Sequence, residues 1–371
     1  MKIGILSLPV FPNYGGLLQA YALQTILEKE GHNVTIIDQN PTKGKKPSHL
    51  NIILKIIVRI IKKFIFHKPV YILYEQKMKE FDIYGYKNLS YFMNNKLHRK
   101  FYKNLLDIKK DEYDAYIVGS DQVWRPKYFP YIPNAFLEFA KTFDVKRIAY
   151  AASFGCDTWE LSDKETEVCS NLIKKFDLIT VREQSGIKLC KTYFDIDAKL
   201  VLDPTLLAPK EIYNNLILEN KVQSGLFYYI FDKSNDKLEL INRIAKEKNI
   251  DPFQVDMNRI NDNRIKPEDR SQKDIGTWLS AIKNSDFIVT DSFHASVFSI
   301  IFKKPFISFG NKDRGATRIK SLLETLKLES NYIDDIKKYD SNYNYAPKIE
   351  TYNIIETLQK ESMKLLLNSL K

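Results

Sequence analysis

The chain has 371 residues, which is long for one hydrophobic core and suits two domains of about 150 to 200 residues each. Apolar residues make up 44% and charged residues 28%, values typical of a soluble globular protein. Three cysteines without CxxC spacing argue against a disulfide framework or a zinc site. The apolar start is too short for a signal peptide, and no stretch approaches the ~20 uncharged apolar residues that span a bilayer. We expect a cytoplasmic protein.

The net charge of +11 comes from one segment. Residues 41–110 contain 17 Lys and Arg against four acidic residues, whereas the rest of the chain holds 40 basic and 42 acidic residues. Aromatic residues are interleaved in this segment, but no recognised nucleic-acid-binding module accompanies them. We therefore do not expect nucleic acid as a partner.

The first half of the chain is predicted to form a parallel sheet. Apolar strands at 3–8 and 34–38 flank a helix at 17–30 that ends at Gly31, which is a βαβ unit. The further predicted elements are strands at 116–118, 147–151, 178–181 and 199–202 and a helix at 164–175.

A second alternating series follows a stretch of weak periodicity. Its predicted strands lie at 226–231, 253–255, 287–290 and 305–309, and its helices at 236–248, 275–283, 317–327 and from near His294 to 302. The fold class is α/β, with two Rossmann-like, doubly wound domains that face a cleft. The predicted N-terminal domain covers 1–205 with a basic helical insertion at about 43–110, a linker covers 206–224, and the C-terminal domain covers 225–350. The helix in 351–371 is a candidate to cross back to the first domain.

Polar loops follow several of the predicted strands. They are Asn13 to Gly16, Gly119 to Gln122, Arg182-Glu183, Asp203-Pro204 and Asp291 to His294. Because the carboxyl ends of parallel strands share one edge of a sheet, these loops are predicted to gather around a ligand. None of them forms a metal-binding cluster, so no metal site is predicted.

His294 is the strongest single candidate for a functional residue, because it lies in the first turn of a predicted helix capped by Asp291 or Ser292. The free N–H groups at such a helix end suit an anion, and their field tunes an imidazole for proton transfer near neutral pH. A histidine that only packs or caps the helix explains the position equally well.

Asp121 and the arginines carry the other candidate chemistry. Asp121 is placed to take a proton from a sugar hydroxyl, or else to hold its loop by an Asx-turn. Arg182 could grip a carboxylate or phosphate, or pair with Glu183. Arg314 and Arg318, four residues apart at a helix start, offer a second cation or simply a solvated helix face.

The turn at Asn13, Gly15 and Gly16 allows a backbone to approach a ligand before a helix N-terminus. It matches neither a GxGxxG motif nor a P-loop, so a nicotinamide cofactor is not expected. A phosphate or sugar contact and a purely conformational role for the glycines both stay open.

Residues 51–66 form a predicted basic amphipathic helix. Lys55, Arg59, Lys62 and Lys63 recur at helical spacing, and nearly every other residue is large and apolar. The helix either packs its apolar face into the domain core or lies on an anionic membrane surface, where a lipid-linked acceptor would be accessible.

An ordered set of motifs resembles the polysaccharide pyruvyl transferase family. The motifs are Asn13-Tyr14-Gly15-Gly16-Leu17-Leu18-Gln19-Ala20-Tyr21-Ala22-Leu23, Gly119-Ser120-Asp121-Gln122-Val123-Trp124, Tyr150-Ala151-Ala152-Ser153-Phe154-Gly155, Val181-Arg182-Glu183, Leu202-Asp203-Pro204-Thr205, Asp291-Ser292-Phe293-His294-Ala295 and Lys304-Pro305-Phe306. The resemblance runs from the start of the chain to about residue 327. It implies a fold similar to type-B glycosyltransferases.

The resemblance also implies a function. Phosphoenolpyruvate would be the donor substrate, with no other cofactor, and its pyruvyl group would pass to a saccharide as a cyclic ketal. His294 and Arg182 match family residues that help to bind the donor, with His294 as our candidate acid and Asp121 as our candidate base. The other predicted substrate-binding residues are Asn13, Gly15, Gly16, Ser120, Gln122, Asp291, Ser292, Arg314 and Arg318.

One departure from the family pattern concerns the cation that binds the donor. Some family members have Arg-Leu-His where this chain has Ser292-Phe293-His294, so Arg314 or Arg318 would have to replace the missing cation. Two rival functions stay open. They are a glycosyltransferase of the same fold that uses a nucleotide sugar, and a non-catalytic member that binds saccharide.

Overall fold

The computed structural model describes residues 1–39, 49–67, 72–73, 85–129, 131–217, 223–255, 272–310 and 316–371. These residues form two β-sheets, one of seven and one of five strands, and every strand pair in both is parallel. Helices connect the strands. The predicted α/β class with two doubly wound sheets is confirmed.

The first sheet changes direction next to its first strand. Its strands are β1 (Lys2–Leu6), β2 (Asn33–Gln39), β3 (Arg99–Tyr102), β4 (Ala115–Val118), β5 (Lys146–Ala152), β6 (Leu178–Val181) and β7 (Lys199–Leu200). Their spatial order is β3-β2-β1-β4-β5-β6-β7. The chain builds outward from β1 to β3 and then returns to the other side of β1 at β4. The switch point therefore lies between β1 and β4.

The second sheet repeats this logic. Its strands are β8 (Leu226–Tyr229), β9 (Pro252–Phe253), β10 (Phe287–Thr290), β11 (Phe306–Phe309) and β12 (Tyr332–Ile333). The order β12-β11-β10-β8-β9 places the switch point between β8 and β10. Ligands in open parallel sheets bind beyond the carboxyl ends of the strands at such points.

The described helices flank both sheets. They are α1 (Tyr14–Lys29), α2 (His49–Phe64), α3 (Lys87–Asn95), α4 (Asp163–Ile173), α5 (Gln184–Phe194), α6 (Pro204–Leu207), α7 (Glu211–Asn214), α8 (Asn235–Lys248), α9 (Ile275–Asn284), α10 (Phe293–Ile301), α11 (Thr317–Thr325) and α12 (Ile349–Ser369). Helix α1 begins three residues before its predicted start, because the Asn13 side chain accepts a hydrogen bond from the Gly15 N–H at 3.0 Å and caps the helix. Gly15 and Gly16 therefore belong to the first turn of α1.

Two predictions about the connecting segments were wrong in part. The basic segment at 43–110 is not helical throughout, since its last part supplies the edge strand β3. An edge strand with exposed Phe101 and charged neighbours lacks the alternating apolar pattern that marks a half-buried strand. The predicted linker at 206–224 includes the end of the short helix α6 and the whole of α7, and Leu206 and Tyr213 of these helices are buried.

Helices and loops of the two halves contact one another and so hold the carboxyl ends of the two sheets next to each other. The Tyr14 ring of α1 stacks on Trp278 of α9 with centroids 5.1 Å apart, and the Tyr14 hydroxyl donates to the Lys273 carbonyl at 2.7 Å. The long helix α12 touches both halves. Its Ser362 Oγ accepts from the Leu202 N–H at 3.1 Å, and its Tyr352 hydroxyl donates to the Ile300 carbonyl at 3.2 Å.

Candidate active site

A cavity of about 420 Å³ lies at the carboxyl ends of both sheets. The loops that follow β1 and β4 line one side of it, and the loops that follow β8 and β10 line the other. These four strands are the ones that flank the two switch points, and the volume lies within the ~300–1,000 Å³ range of ligand pockets. The cavity is therefore the candidate active site.

Many of the predicted site residues line this cavity. They are Asn13, Gly16, Asp121, Gln122, Asp291, Ser292, His294 and Arg318. Gly15, Ser120 and Arg182 lie behind its wall rather than on it, and Arg314 lies outside the described residues. Parallel topology brings the loops of each sheet to one edge, and contacts between the two halves bring the two edges together.

Arg182 is buried beneath the cavity in a network of carboxylates. Its guanidinium donates to Asp203 Oδ2 at 2.7 Å, to Asp121 Oδ1 at 3.1 Å and to Ser120 Oγ at 3.2 Å. Its ion pair with Glu183, which the sequence suggested, is long at 3.9 Å. Most of the donors of Arg182 are thus already used by the protein, so this residue holds the two aspartates in place.

His294 lies at the start of α10, against the first turn of α1. Ser292 is the N-cap of α10, and its hydroxyl accepts from the Ala295 N–H at 3.4 Å. A methyl group placed on Gly15 would lie 2.2 Å from His294 Nδ1, so only glycine leaves room for the imidazole. Gly15 therefore contributes to the site indirectly, by leaving space for the His294 imidazole.

The imidazole of His294 is neutral at pH 7. Burial, helped by the nearby Arg182 and Arg318, lowers its pKa to about 4, although Asp203 and Asp121 oppose this shift. Its Nε2 lies 4.0 Å from Asp203 Oδ1 and has no hydrogen-bond partner among the described residues. A buried polar atom without a partner indicates a place where a ligand, a water or a proton completes the site.

Asp121 is ionised and positioned by its own loop. It has a left-handed backbone with a φ of 71°, and its Oδ1 accepts from the Gln122 N–H at 2.9 Å. Burial opposes ionisation, but Arg182, His294 and Arg318 together lower its pKa. The loop-holding role and the cavity-facing carboxylate are therefore both present in one residue.

Arg318 is the described arginine that the structure brings to the cavity wall from the second half. Its Nη1 lies 4.0 Å from Asp121 Oδ1, and its guanidinium sits 5.6 Å from the centre of the Phe293 ring. Burial and the nearby Arg182 lower its pKa to about 10, so the side chain stays cationic at pH 7. This position suits a cation that meets an anionic ligand.

Asp291 and Gln122 are tied to neighbouring groups. Asp291 accepts hydrogen bonds from the Phe231 and Asp232 N–H groups at 2.8 and 2.9 Å and so holds the loop after β8. Gln122 Oε1 accepts from Arg125 Nη1 at 3.2 Å. Both residues shape the wall of the cavity.

Sequence reasoning did not select several residues that matter here. Asp203, under the combined influence of Arg182, His294 and hydrogen bonds from Thr205, has its pKa lowered to about 2 despite its burial. Gln19 lines the cavity, and its buried Oε1 has no hydrogen-bond partner among the described residues. Asp203 and Gln19 both belong to the family motifs quoted above, so the sequence offered a reason to select them. Tyr128 also lines the cavity but belongs to none of those motifs.

The fold and the position of the cavity define a two-domain protein with the architecture of type-B glycosyltransferases. A solved structure of UGT89C1 from Arabidopsis thaliana, complexed with UDP-L-rhamnose, covers 99% of this chain and 98% of its own with a TM-score of 0.50 and 9% identity. UDP-GlcNAc 2-epimerase from Methanocaldococcus jannaschii covers 97% of this chain and 100% of its own, with a TM-score of 0.49 and 12% identity. Likeness at such identity concerns the fold alone.

The sequence model described as "polysaccharide pyruvyl transferase" matches residues 13–313. The chain therefore belongs to the polysaccharide pyruvyl transferase family, and it is a transferase that acts on polysaccharide. No curated protein matches it.

Proposed function

We propose that this protein transfers the pyruvyl group of phosphoenolpyruvate to a saccharide as a cyclic ketal and releases phosphate. The observation that carries the proposal is the cavity at both switch points, where a cation and a helix N-terminus from the second half face a carboxylate from the first. Family membership supports the same chemistry. The reaction needs no cofactor besides the donor.

The second half of the protein is the proposed donor side. Phosphoenolpyruvate carries a carboxylate and a phosphate, so it needs cations and N–H donors. Arg318 supplies the guanidinium, and the N-terminus of α10 next to Ser292 supplies backbone N–H groups and a partial positive charge. The N-terminus of α1, capped by Asn13, faces the same cavity. Arg182 contributes its charge from beneath.

His294 is the proposed acid that protonates the methylene carbon of the donor. An imidazole with a pKa of about 4 holds few protons at pH 7, so donor binding has to change this balance. The negative charges of the donor do so, because they favour the imidazolium form, and Asp203 Oδ1 is close enough to stabilise it. Proton uptake by His294 is thereby coupled to donor binding.

Asp121 is the proposed base that activates the first sugar hydroxyl. Its carboxylate is ionised and lines the cavity, opposite the wall of the second half. Gln122 and Gln19 line the same side, where amide groups can hold further hydroxyls of the acceptor. The first half is thus the proposed acceptor side.

The proposed reaction balances without an outside reagent. A proton joins the methylene carbon, which becomes a methyl group, and the first hydroxyl oxygen attacks the resulting oxocarbenium-like carbon. The second hydroxyl then attacks the same carbon, and the carbon–oxygen bond to phosphate breaks. The two hydroxyls lose two protons: one restores the proton that the acid gave to the methylene carbon, and the other leaves with phosphate.

The direct test is incubation of the protein with phosphoenolpyruvate and candidate saccharides, both free and lipid-linked. Phosphate release together with a product that carries one pyruvyl ketal would support the proposal. Nucleotide release from a sugar nucleotide, with no turnover of phosphoenolpyruvate, would instead show the rival glycosyltransferase. Saccharide binding without turnover of either donor would show the non-catalytic rival.

A further inference from the structure

Helix α2 has two faces of opposite chemical character. Lys55, Arg59 and Lys62 follow one another at spacings of four and three residues and therefore share one side of the helix, with Lys63 beside them. The rest of the helix circumference is formed by large apolar side chains, which are Ile53, Leu54, Ile57, Val58, Ile60, Ile61 and Phe64. The helix is strongly amphipathic.

The apolar face of α2 points away from the described part of the protein. Ile53, Ile57 and Phe64 are 54%, 47% and 63% exposed, which is far more than a core residue shows. The partly covered residues are Ile56 and Arg59, and Arg59 Nη1 donates to the Ile72 carbonyl at 3.5 Å. Within the described ranges, the helix thus contacts its neighbours through Ile56 and Arg59, and the interpretation of the apolar face as domain core is wrong.

Exposed apolar residues continue beyond the end of α2. Ile65 and Phe66 are 66% and 63% exposed. A contiguous apolar surface of this kind marks a site of interaction with another molecule or a lipid surface. None of the described helices has the length and apolar character to cross a membrane.

The charges of the helix decide between the possible occupants. A second copy docked through the same apolar face would leave Lys55, Lys62 and Lys63 on the outer sides of the pair, where the contact does not use their charge. A surface of anionic lipid would neutralise the same charges and accept the apolar face at once. We infer that α2 docks on an anionic membrane surface, with Ile57 and Phe64 inserted among the lipids and the lysines directed to the headgroups.

The place of α2 along the chain relates this membrane contact to the candidate active site. The chain enters the segment before α2 at the carboxyl end of β2, and Ile36 of β2 lines the cavity. Strand β2 therefore ends at the sheet edge that carries the candidate active site, and α2 begins ten residues further along the chain. Lipid binding at this edge would bring the cavity near acceptors held in the membrane.

Vesicle co-sedimentation with the full chain tests the inference. We expect binding to vesicles of phosphatidylglycerol and phosphatidylcholine and much weaker binding to phosphatidylcholine alone. The triple variant Lys55→Gln, Lys62→Gln and Lys63→Gln should bind the anionic vesicles about 100-fold more weakly, at about fivefold per lost charge. The double variant Ile57→Ser and Phe64→Ser should also lose about 100-fold, because two inserted side chains are removed.

A matched control separates position from net charge. The control changes three exposed lysines on or next to helices α4 and α5, near strands β6 and β7 and far from β2 in the strand order. They are Lys164, Lys174 and Lys188, and their change to Gln alters the net charge by the same amount. This control variant should bind like the wild type. Since no donor or acceptor is added, the result is independent of the proposed transfer reaction.

Three results would overturn the inference. They are absence of binding to anionic vesicles at low salt, equal binding by the wild type and both helix variants, and a dimer in solution that the double variant abolishes. Light scattering after size-exclusion chromatography measures the last of these. Circular dichroism should show that all variants keep the fold, since the changed side chains are exposed.

Discussion

The two walls of the cavity differ in their charge. The wall from the first half presents the carboxylate of Asp121, with Asp203 buried behind it, whereas the second half presents Arg318, His294 and the N-terminus of α10. Arg182 lies beneath the first wall and keeps its carboxylates ionised. An anionic ligand is therefore best placed against the second half, and a ligand rich in hydroxyls against the first.

Two buried arginines show why residue type alone does not define a binding residue. Arg182 and Arg318 both approach the ring of Phe293, with distances of 4.7 and 5.6 Å from guanidinium to ring centre. Arg182 is held by Asp203, Asp121 and Ser120, whereas Arg318 lines the cavity. The predictions below sharpen this division between the two walls or break it.

The largest effect is expected for His294→Gln. Loss of an acid that protonates the donor should lower kcat by about 10²–10⁴-fold, with a smaller change in KM for phosphoenolpyruvate. Steady-state kinetics measure both constants. His98→Gln is the control, since that imidazole is well exposed and should leave kcat unchanged. A near-normal kcat in His294→Gln would remove this residue as the acid.

A smaller effect is expected for Arg318→Gln. Loss of a charge-assisted contact should raise KM for phosphoenolpyruvate by about 10- to 100-fold, because such hydrogen bonds contribute about 1.5–3 kcal/mol. Lys320→Gln, an exposed change on the same helix, should have no effect.

Asp121→Asn on the other wall should lower kcat without weakening donor binding. Equal loss of donor affinity in Arg318→Gln and Asp121→Asn would break the division of the two walls.

Two adjacent glycines of α1 should respond differently to alanine. A methyl group on Gly15 meets His294 Nδ1 at 2.2 Å, whereas one on Gly16 has Asp121 Oδ2 at 3.9 Å as its nearest neighbour. Gly15→Ala should therefore be less stable than Gly16→Ala by about 1–3 kcal/mol in free energy of unfolding. Both changes gain the same helix propensity, so their difference isolates the clash. Denaturant unfolding measures it, and equal stabilities would contradict this packing.

The smallest effect concerns pH. The pKa of His294 falls from 6.5 in the unfolded chain to about 4 in the folded one, so the unfolded state binds a proton first as the pH is lowered. Stability should decline as the pH falls from about 6.5 towards 4, by about 2 kcal/mol between pH 7 and pH 5 from this residue. His294→Gln should remove that part of the pH dependence. Phosphoenolpyruvate should raise the pKa, as NMR titration of the imidazole would show.

Much of the fold followed from local pattern. Buried strands such as β1 and β10 are short apolar runs that end in polar loops, and this pattern predicted both their position and the edge at which the loops meet. The edge strand β3 was missed, because its exposed residues carry no such pattern. The short helices α6 and α7 were missed because their few buried residues are too few to show a period.

The candidate site, too, could be predicted from the sequence only in part. The motif residues Asp121, His294 and Gly16 line one cavity, since strand ends of a parallel sheet converge. Their protonation and pairing could not be predicted. Which arginine reaches the wall depends on the tertiary structure, in which Arg182 pairs with Asp203 in the core and Arg318 lines the cavity.

The parallel α/β architecture, the loops that carry the chemistry and the amphipathic character of α2 could be predicted from the order of residues along each strand or helix. The neutral state of His294, the need for glycine at Gly15 and the outward apolar face of α2 became apparent only in the folded chain. Burial, distance between opposite charges and the approach of one helix to another set these properties. They arise between segments that are far apart in the chain.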